Sequence, residues 1–179
     1  MKNTFILIIL LIVTVVFSSC FIGESIFTAD DEKIADNTFN DIITAVKSKD
    51  DSKIVDMFSD TVKSENDLSQ PALKFIEYIK GDIVSFSSAS EAGVAAEYET
   101  NYGKARKEIQ ASFCINTTES SYYVSIKECT NNEFDARKIG VMSIYIIESS
   151  NWTEDCIYRG DGKWTPGINI AIPYEQSFY

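Results

Sequence analysis

The apolar positions change their spacing twice along the chain. From Phe5 to Phe17 they are nearly continuous, broken only by Thr14. From Thr28 they recur at steps of three and four. Ala35, Thr38, Phe39, Ile42, Ala45 and Val46 then share one face of a helix. This predicts a long first helix over residues 29–48. Thr28 with Asp31 three residues on resembles a capping box, and Asp30, Asp31 and Glu32 suit the positive helix start. Lys47 and Lys49 suit its negative end. Asp51 is placed to cap a short second helix carrying Ile54, Val55, Met57 and Phe58. Residues 59–67 read as a polar link. Residues 68–80 read as a third helix with Leu68, Ala72, Leu73, Ile76 and Ile79 turned inward. Pro71 fits its first turn, and Gly81 fits the left-handed position past its end.

After Gly81 the period becomes two. Residues 83–86 suggest a strand, 87–93 a loop, and 94–102 either a loop or an edge strand. Residues 104–116 alternate clearly. Ala105, Lys107, Ile109, Ala111, Phe113 and Ile115 form one face, and Lys104, Arg106, Glu108, Gln110, Ser112 and Cys114 the other. A turn at 117–121 leads to a return strand, on which Tyr122, Val124 and Ile126 continue the inward face. Residues 139–148 are apolar on both faces, which suits a strand in a central position. Helices followed by such a run predict an α+β domain, with N-terminal helices packed on one face of a curved antiparallel sheet. Residues 29–179 form that single domain, and about 150 residues can bury a real core.

The first apolar run covers about 13 residues, short of the roughly 20 that span a bilayer. Lys2 precedes it and Ser18 and Ser19 follow, so residues 1–19 read as a secretory signal. Phe17-Ser18-Ser19-Cys20 resembles a lipobox, the bacterial motif whose cysteine is lipidated and becomes the first residue. Phe17 stands where Leu is usual. A lipidated Cys20 carries two acyl chains, enough to hold the domain on the outer face of a cell membrane. Residues 20–28 would be the tether. Its Phe21, Ile22, Ile26 and Phe27 could lie against the membrane or the domain.

Charge narrows the partners. The chain has 27 acidic and 16 basic residues, no histidine, a net charge of -11 and a pI of about 4.4. Loss of residues 1–19 removes Lys2 and no acid, leaving 27 acidic against 15 basic residues and a net charge of -12. Nucleic acid, which needs a basic footprint, is not an expected partner. Ser-His-Asp and Cys-His mechanisms and His-ligated zinc are excluded. No Walker or Rossmann loop occurs, and the acidic runs 30–32 and 131–135 lack the spacing of a calcium loop, so no cofactor or metal is expected.

Cys20 leaves Cys114, Cys129 and Cys156. If Ile115 faces Tyr122, then Cys114 faces Tyr123 and Cys129 faces Glu108. The two cysteines are then roughly 20 Å apart along the strands. A disulfide needs Cα atoms within about 7 Å, so that pair fails. Two readings stay open: a Cys129–Cys156 pair, or three small, partly buried thiols.

Helix, helix and a strongly curved sheet closed by a late aromatic segment resemble the nuclear transport factor 2-like, or cystatin-like, cone. The stretches "DDEKIADNTFNDIITAVKSKDDSKIVDMFS", "IKGDIVSF", "YYVSIKEC", "IGVMSIYII" and "GDGKWTPGINI" resemble a bacterial lipoprotein family with that fold, found mainly in Gram-positive bacteria. The resemblance implies a fold and an address, and no activity. In its last stretch Gly160-Asp161-Gly162 reads as a tight turn and Pro166-Gly167 as a second. Arg159-Gly160-Asp161 is better read as part of that turn than as an adhesive tripeptide. Trp164 either plugs the open end of the sheet or lines a pocket.

Superfamily members resembling ketosteroid isomerases and polyketide cyclases place acids and tyrosines inside the cone. Here Tyr122, Tyr145, Tyr158 and Trp164, with Asp82 or Glu148, are the pocket candidates. The expected function is non-enzymatic: a surface lipoprotein binding a small molecule or a protein. An isomerase- or cyclase-like enzyme and a structural envelope component are the alternatives. Tyr123, Ser125 and Lys127 make the outer sheet face fairly polar, so a monomer or weak dimer is expected.

Overall fold

A computed structural model describes residues 30–152 and 164–170. Residues 30–48 form helix α1, which buries Ala35, Phe39, Ile42, Ile43, Ala45 and Val46. That is the stripe set by steps of three and four. Thr28, the expected cap, lies outside the described residues.

Asp50, rather than Asp51, caps helix α2 (Asp51–Asp56) by accepting from the Lys53 N–H. Residues 59–67 are not merely a link. Ser59 caps a third helix, α3 (Asp60–Glu65), whose Val62 is buried. One apolar residue has no period to detect, yet one buried side chain and a cap suffice to seat a short helix against a core. Helix α4 (Ser69–Tyr78) buries Ala72, Phe75 and Ile76. Leu73, expected inward, is 39% exposed. It lies one residue, about 100° of helix, from Ala72, whereas Phe75 and Ile76 follow Ala72 at three and four. Leu68 and Ile79 are buried at the two ends.

Among the described residues six strands follow: β1 (Ile83–Phe86), β2 (Val94–Asn101), β3 (Lys104–Thr117), β4 (Ser121–Asn132), β5 (Gly140–Glu148) and β6 (Gly167–Ile170). Their order is β1-β3-β4-β5-β6. Strand β2 shares the edge of β3 with β1: Phe86 pairs with Ile115, and Val94 with Ala111. The expected loop between β1 and β2 contains one helical turn, α5 (Ala89–Ala92). The Ala89 N–H donates to the Asp36 carboxylate of α1 at 2.7 Å. Of residues 94–102, Val94–Asn101 form an edge strand rather than a loop, and Tyr102 lies in the turn that follows.

The β3–β4 register places Ile115 opposite Tyr122, Cys114 opposite Tyr123 and Glu108 opposite Cys129, which meets the condition for keeping Cys114 and Cys129 apart. Strand β6, however, runs parallel to β5. The sheet is therefore mixed and unclosed rather than purely antiparallel. The long connection 149–166 allows this, because a parallel neighbour needs a crossover. The far edge of β5 also pairs at its start with Phe58, through Val141.

The core lies between the helices and one face of this sheet. Ile109, Ala111, Phe113, Ile115, Tyr122, Val124, Ile126, Ile144 and Ile146 form its floor. Phe39 of α1 stacks on Phe113 with ring centroids 3.9 Å apart and planes 9° from parallel.

Candidate functional site

Alternation along β4 places Tyr122, Val124 and Ile126 inward, and the next step of two places Glu128 there as well. Glu128 lines a crevice between α1 and the sheet, with Ala35, Ile109, Ala111, Phe113 and Ile126. Nowhere does the crevice admit a water-sized sphere. The Thr38 hydroxyl donates to the Glu128 carboxylate at 2.7 Å. Burial pushes the Glu128 carboxyl above its ordinary range, against the opposing effect of that hydrogen bond. The crevice thus holds one acid, one hydroxyl and an apolar wall.

A second inward charge, Lys107 of β3, pairs with Asp31 in the first turn of α1. Asp31 is buried, so the three acids of residues 30–32 are not equivalent. The expectation that all three only serve the helix dipole overlooked this pair. Its sequence signal was a lysine on an otherwise apolar face.

The other face of the sheet carries charge. The buried Glu108 carboxylate meets Lys127 Nζ at 2.8 Å and Arg106 Nε at 3.4 Å. Glu99 and Glu97 extend the network, to Arg106 at 3.4 Å and to Lys127 at 3.7 Å. Cys129 lies beside it, fully buried. Burial, then the Glu108 charge, raises its thiol pKa. The Cys114 thiol is raised by burial and by Glu91. Both are free thiols and poor nucleophiles. Cys156 lies outside the described residues.

The pocket candidates among the described residues, Tyr122, Tyr145 and Trp164, do not converge. Tyr122 is on the helix side of the sheet. Its hydroxyl accepts from the Lys80 N–H at 2.9 Å and its ring meets Tyr78 edge-on at 5.6 Å. Tyr145 pairs across the strands with Ser125, whose side chain is on the opposite face from Val124, so Tyr145 is on the outer side. Trp164 joins it there, with ring centroids 5.7 Å apart. Ser143 holds the Trp164 and Thr165 carbonyls at 3.1 and 2.9 Å, and the Thr165 N–H donates to the Tyr145 hydroxyl. This packing seats the start of β6. Tyr158 and Cys20 lie outside the described residues. Glu148 accepts from the Ser120 hydroxyl, and Asp82 is exposed.

The acidic stretch after β4 is a turn. Asn132 Oδ1 accepts the Phe134 and Asp135 N–H groups, and Arg137 holds the Asp135 carboxyl below its usual range. Among the described residues no three Asp, Glu, Cys or His side chains form a metal-binding group. Among the described residues no helix is long and apolar enough to cross a membrane.

No curated protein matches the chain. A family match covers residues 41–149, from the middle of α1 to just past β5, and so takes in Glu128 and the charged outer face. By that match the chain belongs to the family described as Domain of unknown function (DUF5104).

Proposed function

We propose that this chain is a lipoprotein held on the outer face of the cell membrane through Cys20, with a nuclear transport factor 2-like domain that binds a partner and performs no reaction. One observation carries the reading of binding without catalysis. The crevice beneath α1, where a cone would hold a substrate, is too narrow for water. Among the described residues, this reading places binding on the surface. Tyr123 and Trp152 offer a place for it: they are 40% and 41% exposed, with ring centroids 5.5 Å apart. Aromatic side chains presented together are the usual anchors of a protein interface.

The test is native mass spectrometry of the protein released gently from membranes. The expected result is a mass with no bound small molecule, together with a protein captured by crosslinking that Tyr123→Ala and Trp152→Ala together abolish. A small molecule lost only on denaturation would refute the surface reading. Glu128 favours the enzymatic alternative, because an acid with a raised pKa in an apolar setting is suited to proton transfer. That alternative requires α1 to lift from the sheet, and Glu128→Gln would then abolish turnover of any substrate found.

A further inference from the structure

We propose that the end of the sheet carrying the β2–β3 turn rests on the lipid surface, with Tyr102 and Phe134 at the boundary between headgroups and acyl chains. This rests on the reading that Cys20 anchors the chain.

Tyr102 and Gly103 form the two-residue turn between β2 and β3, both left-handed, with φ of 50° and 76°. Such a turn favours Asn, Asp or Gly. A left-handed side chain other than these costs roughly 1–2 kcal/mol. Tyr102 is 99% exposed, so packing within the domain does not offset that cost. Other apolar residues toward this end are exposed: Phe134 at 44%, and, further back along the strands, Tyr98 at 64% and Ile139 at 44%. Residues 133–139 link β4 to β5 beside the turn. The Ala105 N–H donates to the Glu133 carboxylate at 2.7 Å, and the Glu133 N–H donates to the Ala105 carbonyl at 2.9 Å. Lys104 Nζ stands 6.0 Å over the Phe134 ring.

The chemistry suits a bilayer boundary, where tyrosine keeps its hydroxyl wet and buries its ring. Three of the acids near this end are engaged, Glu133 by Ala105, Asp135 by Arg137 and Glu99 by Arg106, while Asp30 and Glu32 in the first turn of α1 are not buried. The path of the chain points the same way. Asp31 pairs with Lys107, which fixes the first turn of α1 to this same end. From Cys20 to Asp30 the chain can reach at most about 35 Å. A tether that short gives an effective concentration in the mM range, so a few weak ring contacts remain occupied.

The test uses the full chain, produced with its leader and reconstituted into phosphatidylcholine vesicles with or without bromine on the acyl chains. Tyr102→Trp adds an emitter at the turn. The two native tryptophans, Trp152 and Trp164, are beyond the end and beside the middle of β5, a strand about 30 Å long whose start adjoins the proposed contact. The expected result is loss of half or more of the added emission in brominated vesicles, with the parent signal little changed. Added emission that bromine leaves intact overturns the proposal, as does a turn that crosslinks to a protein instead. The mass of the mature N-terminus reports the anchor separately. If Cys20 is unmodified, the anchor reading fails alone. Vesicles titrated onto that protein then decide the contact, and absence of quenching at saturating lipid overturns it.

Discussion

If the interior is packed rather than reserved for a ligand, truncating Phe39 must be costly. Phe39 is 1% exposed and lies flat on Phe113, itself 2% exposed, while Phe86 meets it edge-on at 5.8 Å. Phe39→Ala removes the ring from a site bounded by α1 and β3, neither of which can collapse without disturbing the Thr38–Glu128 and Asp31–Lys107 contacts. Buried Phe→Ala changes cost about 3–5 kcal/mol. Domains of this size have about 5–15 kcal/mol in total. The melting temperature should fall by on the order of 15 °C. Urea denaturation followed by circular dichroism gives the free energy. The double-mutant cycle with Phe113→Ala should give a coupling of about 1 kcal/mol for the stacked pair. A loss below about 1 kcal/mol with additive single changes would refute the packed interior. An adaptable chamber would accept the missing ring, and the case against a ligand in the crevice would go with it.

Three further outcomes are expected. Glu128→Gln keeps an acceptor for Thr38 and removes a charge that burial disfavours. Because the folded carboxyl is raised, its contribution to stability is present below the unfolded value and lost as pH rises through the folded one. The variant should therefore exceed the parent in urea at about pH 7 and match it near pH 4; an equal gap at both would exclude this cause. Tyr102→Asn suits the left-handed turn and should add about 1 kcal/mol in thermal melts, while reducing contact with vesicles; a lower melting point would contradict the turn geometry. Gly140→Ala should cost about 2 kcal/mol or more. Gly140 has φ of 123°, and a Cβ there would lie 3.0 Å from the Met57 carbonyl and the Ser59 nitrogen. A neutral result would mean that the bridge between Phe58 and Val141 is absent in solution.

Much of this architecture was legible because two periods carry it. The stripe on α1 and the alternation on β3 and β4 give the inward faces, and the pairing of Ile115 with Tyr122, on which the separation of Cys114 from Cys129 is conditional, is present. What escaped detection was set by single residues or by distant chain. Helix α3 depends on Val62 and the Ser59 cap, too little for a period. The parallel direction of β6 comes from a connection with no local signature. The pocket candidates were chosen as residue types, and tyrosines at even and odd positions of neighbouring strands were grouped before their faces were known. Tyr122 and Tyr145 fall on opposite sides for that reason. Glu128 was within reach: one further step of two beyond Ile126 puts a carboxylate on the apolar face.

That carboxylate and Lys107 have a common role. Asp31 and Thr38 are seven residues apart, two turns of α1, and so share its inward side. The first meets Lys107 and the second meets Glu128, one on β3 and one on β4. Between these two contacts the interface is apolar, and apolar contact alone tolerates sliding. A one-turn slip of α1 would separate both pairs together. Each buried polar group left without a partner costs about 1–3 kcal/mol, more when charged. The two contacts therefore select one position of the helix on the sheet. That position closes the crevice and fixes the first turn of α1 beside the β2–β3 turn. The charges on the inner face thus serve to set the position of α1 on the sheet, a sufficient reason for their burial.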